Sequence, residues 1–284
     1  MAVRLQYGRR SVRCLSNQLF GFVLLPWIGG LAASKIVAGC ALFIAATVIA
    51  SVASRATRWR LGAGLVVSAA CVIFSPKQPD YDTLSKGASV YFKAQNWGTV
   101  IDHAESIDGG LTMVTRRENQ NGVVTTLLTN GKFQGNDAKN GEVQAQIGFA
   151  ALPLLHQNIR ENALVIGYGT GATSRVLHDA GFAHIDIAEL SRDVVAMANT
   201  YFSDINDGVS HLPRVQTHIT DGRNLLLLTP RKYDLISIEI TSIWFAGAAS
   251  LYNQEFYQLA RSRLQPTAYC SNGFRCITWR PPIC

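Results

Sequence analysis

The sequence predicts an α/β fold built on a parallel sheet, preceded by a small antiparallel β domain and by transmembrane helices, on three observations. Beyond Glu142, apolar strand-like runs alternate with amphipathic helical segments, the rhythm of parallel strands joined by crossover helices. Between Gly98 and Gln134, short β-rich runs are separated by Asp-Gly and Asn-Gly pairs, which tolerate positive φ in hairpin turns. Before residue 76 lie long apolar runs with basic flanks and no carboxylate at all.

The apolar runs come first. Gln18 to Ser34 and Ile36 to Ser54 each approach the roughly 20 residues a helix needs to cross a hydrocarbon core. A third run, Leu61 to Ser75, is marginal. Arg4, Arg9, Arg10 and Arg13 precede the first, and Arg55, Arg58 and Arg60 follow the second. That charge pattern predicts a helical hairpin with both ends cytoplasmic, hence a multi-pass membrane protein with lipid as a partner. If the third run also spans, the remaining domain lies outside. A secretory signal peptide fits less well, since several long runs follow one another without a clean cleavage site.

The net charge is +7, but the first acidic residue is Asp80 and the chain after it is near neutral. A basic patch for nucleic acid is therefore not expected on the folded domain. Of the six cysteines, Cys14, Cys40 and Cys71 lie in or beside apolar runs, and Cys270, Cys276 and Cys284 lie near the C-terminus without CxxC or histidine spacing. No metal site is expected from them. The six histidines form no close ligand pair along the sequence.

The predicted organisation is a membrane segment at 1–75 with two or three helices, a linker at 76–97 opened by "PKQPDYD", a small β domain at 98–141, an α/β domain at 142–266 and an atypical tail at 267–284. The small domain contributes "TVIDHAE", "LTMVTRR" and "VVTTLLTN" as strands. In the α/β domain, "EVQAQIGFAALPLL" reads as a helix, "ALVIG" as a buried strand, "TSRVLHDAG" as a helix and "HIDIAEL" as the next strand. "SRDVVAMANTYF" follows as a helix, "RVQTHIT" and "YDLISIEI" as strands, and "NQEFYQLARSRL" as the last helix.

In this frame the loop "GYGTGA" places Gly167, Gly169 and Gly171 after the first parallel strand, and Glu189 ends the second. Glycines let backbone approach a ligand closely at that turn, and an acid at the second strand end accepts hydrogen bonds from ribose hydroxyls. Any adenosine-containing ligand suits this pattern, which formally matches the dinucleotide fingerprint. A tight strand-to-helix turn with a solvated glutamate suits it too. Asp221 and Gly222 follow a strand at a position from which an acid and a backbone group reach an adenine edge, and Glu239 ends the strand opened by Tyr233 and Asp234. Signatures of hydrolases, P-loop nucleotidases and zinc proteases are missing from the sequence.

The order of "LLTNGKFQGND", "GYGTG", "DGR" and "SLYNQEFY" resembles the spermidine synthase family of polyamine aminopropyltransferases, over roughly Val100 to Pro266. The apolar N-terminal segment resembles that of bacterial members fused to transmembrane helices, which implies the bacterial inner membrane. The resemblance implies a small β domain before a methyltransferase-like Rossmann fold that binds a nucleoside. It implies that Gly167, Gly169 and Gly171 line decarboxylated S-adenosylmethionine as co-substrate, or its thioether product. It also implies that Glu189 binds the ribose and Asp221 the adenine, and that Gln134 lies near nucleoside and substrate. A polyamine is the other small-molecule partner, with Tyr252 where the substrate pocket closes and a homodimer left open as the assembly.

Aminopropyl transfer needs a base for the attacking amine and acids for a cationic diamine such as putrescine. The family's Asp-x-Thr-Asp-Pro segment is matched here by Glu239, Ile240, Thr241, Ser242 and Ile243. Glu239 is the candidate base, although its extra methylene displaces the carboxylate by about a bond length, which can cost on the order of 100-fold in rate. Ser242 replaces the second acid, and Asp137 and Glu142 only approximate the family's paired acids, so the amine-binding site reads as degraded. Two alternatives stay open: a methyltransferase using S-adenosylmethionine itself, and a non-enzymatic nucleoside-binding membrane protein. The tail "TAYCSNGFRCITWRPPIC" lacks clear strand alternation and reads as an altered frame or truncation that leaves the sheet edge incomplete.

Overall fold

The computed structural model describes residues 25–51, 54–106, 110–120, 122–240, 248–272 and 275–278. The chain divides into two compact units, Met1–Leu84 with Glu105–Gly110, and Ser85–Ala104 with Leu111–Cys284.

The first unit is built on helices α1 (Leu25–Ala50) and α2 (Arg55–Ile73). Gly29, at φ 75°, breaks the helical geometry near the start of α1. Ser54 caps α2 by accepting a hydrogen bond from the Thr57 N–H. Ile28–Ala50 and Arg55–Ile73 have mean hydropathies of 2.0 and 1.2 and are long and apolar enough to cross a membrane, a test that core helices and signal sequences also pass. The sequence divides the first two apolar runs at Ser34 and Lys35, whereas α1 runs straight through them. Lys35 permits this because its long side chain carries the charge away from the helix, reaching the Pro76 carbonyl at 2.6 Å. The helix that follows α1, α2, therefore covers most of the run expected to be marginal. The start of the first run lies outside the described residues.

The second unit holds two sheets. The short helix α3 (Tyr81–Ser85) closes the first stretch of the first unit, and after α4 (Ala88–Tyr91) come β1 (Thr99–Glu105), β2 (Leu111–Asn119), β3 (Gly122–Thr129) and β4 (Lys132–Asn136), which form a four-stranded sheet in that order. β2 and β3 pair antiparallel with Thr112 opposite Thr129. β4 is an addition to the three strands read from the sequence.

The larger sheet contains β5 (Asn162–Ile166), β6 (His184–Glu189), β7 (Val215–Ile219), β8 (Tyr233–Ile238), β9 (Leu264–Asn272) and β10 (Arg275–Thr278), in the order β10-β9-β8-β5-β6-β7. All neighbours are parallel except β10 against β9. Between them run α5 (Glu142–Leu154), α6 (Ala172–Asp179), α7 (Arg192–Tyr201), α8 (Ser203–Asn206), α9 (Gly222–Leu228) and α10 (Gln254–Ser262).

Alternation along β5 explains the layering, because successive side chains of a strand face opposite sides. Ala163 and Val165 enter a core with Leu177, Val194 and Ala198, joined by Val114 and Leu127 of the small sheet. Leu164 and Ile166 enter the other core with Leu226, Phe256 and Ala260. Both faces of the sheet are thus covered, the arrangement that continuous apolar strands require.

The tail differs from its expectation. The strand β9 runs across the boundary drawn at residue 266 and pairs with β8, Ile236 opposite Cys270, and β10 returns beside it. A strand buried between neighbours has no need of polar alternation, which is why "TAYCSN" gave no signal.

Histidines far apart in sequence meet on the sheet. His184 and His218 bring Nε2 atoms within 3.1 and 2.7 Å of Asp186 Oδ1, while the Tyr233 hydroxyl donates to Oδ2 at 2.9 Å and Arg231 Nε lies 3.4 Å away. Burial pushes the Asp186 carboxyl up, but the hydrogen bonds from His218, Tyr233 and His184 outweigh it and hold the group below the usual range. A lowered carboxylate lends stability that is complete above its unfolded value, about pH 4, and lost as pH falls through the folded one. Asp186→Asn is expected to cost about 2–3 kcal/mol at pH 7, because buried donors lose an acceptor. Urea unfolding would show that deficit narrowing below about pH 4.

Candidate functional site at the carboxyl edge of the sheet

Four adjacent parallel strands, β7, β6, β5 and β8, end side by side. Their carboxyl ends carry, in spatial order, Asp221, Glu189, the glycine loop 167–171 and Glu239.

The loop leaves β5 with Gly167, Gly169 and Gly171 all at positive φ, 94°, 54° and 85°. Tyr168 turns inward, is 2% exposed and donates its hydroxyl to Asn199 Oδ1 at 2.8 Å. Asn206 Nδ2 holds the Thr170 carbonyl from the other side. These two side chains leave no room at Gly171, where a Cβ would lie 2.7 Å from Asn206 Cβ and 2.8 Å from the Tyr168 hydroxyl. Gly171→Ala combines that collision with backbone strain of about 1–3 kcal/mol, so thermal unfolding of the variant is expected several degrees lower, with weaker ligand binding at the distorted loop.

Glu189 is tied to this loop. Its Oε2 accepts from the Tyr168 N–H at 2.8 Å and its Oε1 from the Ser191 N–H at 2.9 Å. Burial pushes its carboxyl up, opposed by these backbone donors. The carboxylate keeps acceptor capacity beyond these backbone donors, so ligand hydroxyls have an acceptor here.

Asp221 caps α9, its Oδ1 accepting from the Asn224 N–H at 3.0 Å. Gly222 is buried against Ile166, into which a Cβ would collide. The end of β7 is thereby drawn onto the end of β5. Gln134 on β4 lies alongside the loop, its carbonyl 3.7 Å from where a Cβ on Gly169 would stand.

Glu239 sits beside the first glycine, its Cβ 3.3 Å from the Cβ position of Gly167. Ser237 Oγ donates to Oε1 at 2.7 Å, and Thr173 Oγ1 lies 2.8 Å from Oε2. Burial pushes the Glu239 carboxyl up to about 8, against the hydrogen bonds of Ser237 and Thr173, with the Glu142 charge adding to the rise. The Tyr252 hydroxyl donates to the Ile240 carbonyl, and burial near Tyr257 and Glu239 pushes it up to about 12.

Ser242 lies outside the described residues. Asp137 turns to the small sheet, where its Oδ1 accepts from the Thr125 N–H at 2.8 Å. Glu142 accepts from Gln146 Nε2 at 3.1 Å, and Thr170 donates to Gln146 Oε1. The sequence missed Thr173, Ser237 and Gln146. Ser237 had a signal, standing two residues before Glu239 on the same strand face. A cleft of about 660 Å³ lined by Lys139, Arg175, Asp179, Asp204 and Asp207 includes none of the sequence-predicted site residues. Among the described residues no group of three or more His, Cys, Asp or Glu is arranged to hold a metal ion.

Residues 144–276 match the spermine/spermidine synthase domain. This region is similar in sequence to polyamine aminopropyltransferases. The polyamine aminopropyltransferase of Nitrosomonas europaea is 32% identical over 133 residues, 46% of this chain and 41% of that protein. The polyamine aminopropyltransferase of Corynebacterium efficiens is 28% identical over 258 residues, 88% of this chain and 47% of its own length. The chain thus spans under half the length of these two relatives. The fold of the spermidine synthase from Thermotoga maritima matches with a TM-score of 0.52 at 23% identity, covering 61% of this chain and 56% of that one. A spermidine synthase in complex with the transition state analogue AdoDATO matches with a TM-score of 0.54 at 22% identity, over 61% and 57%.

This correspondence corrects one expectation. A multi-pass protein of the bacterial inner membrane was predicted from the apolar runs. The chain instead matches the spermidine synthase fold, accompanied among the described residues by two apolar helices and no multi-pass bundle.

Proposed function

We propose that the domain at 142–266 binds decarboxylated S-adenosylmethionine along the strand ends and transfers its aminopropyl group to a diamine such as putrescine. One observation carries this reading: the spatial order Asp221, Glu189, glycine loop, Glu239 matches the linear order adenine, ribose, sulfonium arm, amine. Asp221 and the Gly222 backbone meet the adenine edge, Glu189 the ribose, and Gly167, Gly169 and Gly171 the sulfonium arm, with Gln134 alongside. Tyr252 and Ser242 are assigned to binding of the amine in this reading.

In the reaction the acceptor nitrogen gives its lone pair to the aminopropyl carbon beside sulfur. The carbon–sulfur bond breaks, its electron pair remains on sulfur, and a neutral thioether leaves. Glu239, once ionised, takes the proton of the attacking amine. Calorimetric titration with S-adenosylmethionine, its decarboxylated form and methylthioadenosine, followed by a product assay with putrescine, tests the proposal. Selective affinity for the decarboxylated nucleoside with formation of spermidine supports it. Preference for S-adenosylmethionine with methylated product, or binding without turnover, overturns it.

A further inference from the structure

Thr173 stands between two oxygen atoms. Its Oγ1 lies 2.8 Å from the backbone carbonyl of Gln146 on α5 and 2.8 Å from Glu239 Oε2. A hydroxyl carries one hydrogen and a carbonyl oxygen only accepts. If Thr173 donates to Gln146, the contact with Oε2 is a hydrogen bond only when Glu239 supplies the proton. If Thr173 donates to Glu239, the buried Gln146 carbonyl faces an oxygen lone pair. Thr173 and Gln146 are 2% and 5% exposed, so water does not readily come between these oxygens. Ser237 donates to the other oxygen, Oε1. That leaves Oε2 as the protonated atom.

We propose that Thr173 is a positioning residue that accepts the hydrogen bond from the Glu239 Oε2 proton in the resting site and reverses its own hydrogen bond to support the carboxylate when that proton leaves. In the resting state the chain runs from Glu239 Oε2–H to Thr173 Oγ1–H to the Gln146 carbonyl. When the proton passes to water, Thr173 turns its hydrogen from Gln146 to Oε2 and supports the carboxylate. The titratable neighbours facing Glu239 are Glu142, of like charge and on α5, and Tyr252. The Glu142 charge favours retention of the proton, while Tyr252 stays neutral over this range. The inference rests on the reading of Glu239 as the base for the acceptor amine, and it makes that base available only above the pH at which the Thr173 bond reverses.

The test is made on the full chain without substrate. An infrared titration from about pH 5 to 10 follows the carbonyl band of a protonated carboxylic acid, assigned to Glu239 by its loss in Glu239→Gln. The expected band persists at pH 7 and titrates near 8. Thr173→Val removes the donor that supports the carboxylate, which matters more to the charged form than its acceptor role matters to the neutral one. The band is then expected to titrate about one pH unit higher, and Thr173→Ser returns it. Thr173→Ala serves the same purpose should the valine variant not fold by circular dichroism. A Glu239 already ionised at pH 6, or a titration that neither variant moves, overturns the proposal. Turnover separates it from the functional reading: the acid limb of the kcat profile moves up in pH together with the infrared shift in Thr173→Val. A Glu239 band with the expected shifts but no transfer to any diamine overturns the function and leaves the role of Thr173 intact.

Discussion

Glu239→Gln is expected to lower kcat for aminopropyl transfer by about 10²–10⁴-fold, the usual worth of a positioned base. The substitution preserves shape. Its amide oxygen accepts from Ser237 and its amide N–H donates to Thr173 Oγ1, as the protonated acid does, so nucleoside affinity is expected to hold. Steady-state kinetics with calorimetry measures both. An equal loss of affinity would place Glu239 in nucleoside binding instead. The variant carries a second expected result, in stability. The carboxyl is raised from 4.5 to about 8, so between these values the folded state binds the proton and the unfolded state does not. Stability then falls as pH rises across that window. Glutamine does not titrate, and the melting temperature of Glu239→Gln is expected to exceed that of the parent increasingly from about pH 5 to 8.

Glu189→Gln is expected to weaken nucleoside binding about 100-fold, two charge-assisted hydrogen bonds to the ribose giving way to neutral ones. The amide has a further defect here. Both carboxylate oxygens accept backbone N–H groups, from Tyr168 and Ser191. An amide offers one oxygen, so its NH₂ faces one of these donors and the loop loses half of its clamp. Calorimetry with methylthioadenosine reads the affinity, and the kcat at saturating nucleoside should change little by comparison. A kcat loss without a change in affinity would remove Glu189 from the ribose.

The strand-end groups were legible in the sequence because each depends on local pattern alone. A buried apolar run that stops at a glycine or an acid marks the edge of a parallel sheet, and Gly167, Glu189, Asp221 and Glu239 all stand at such stops. What could not be read is what one element does to another. Thr173 meets Glu239 only because α6 and β8 converge, and it meets Gln146 only because α5 packs against α6. His184 and His218 meet at Asp186 through the register of β6 against β7, where Ala188 faces His218. The strand β9 was missed for another reason: buried between β8 and β10, it shows no alternation to recognise. Along the apolar N-terminal segment, composition overstated the outcome, since it measures hydropathy and not the assembly that hydropathy serves.

The position of β5 in the sheet has a consequence for synthesis. Its one flank is covered by β6, made soon afterwards, but its other flank waits for β8, which begins only at Tyr233. A nascent chain shorter than this exposes the strand that leads into the glycine loop, and it also lacks Glu239. The second flank of β5 and the acid at the reactive edge therefore arrive with the same stretch of chain, Tyr233 to Glu239.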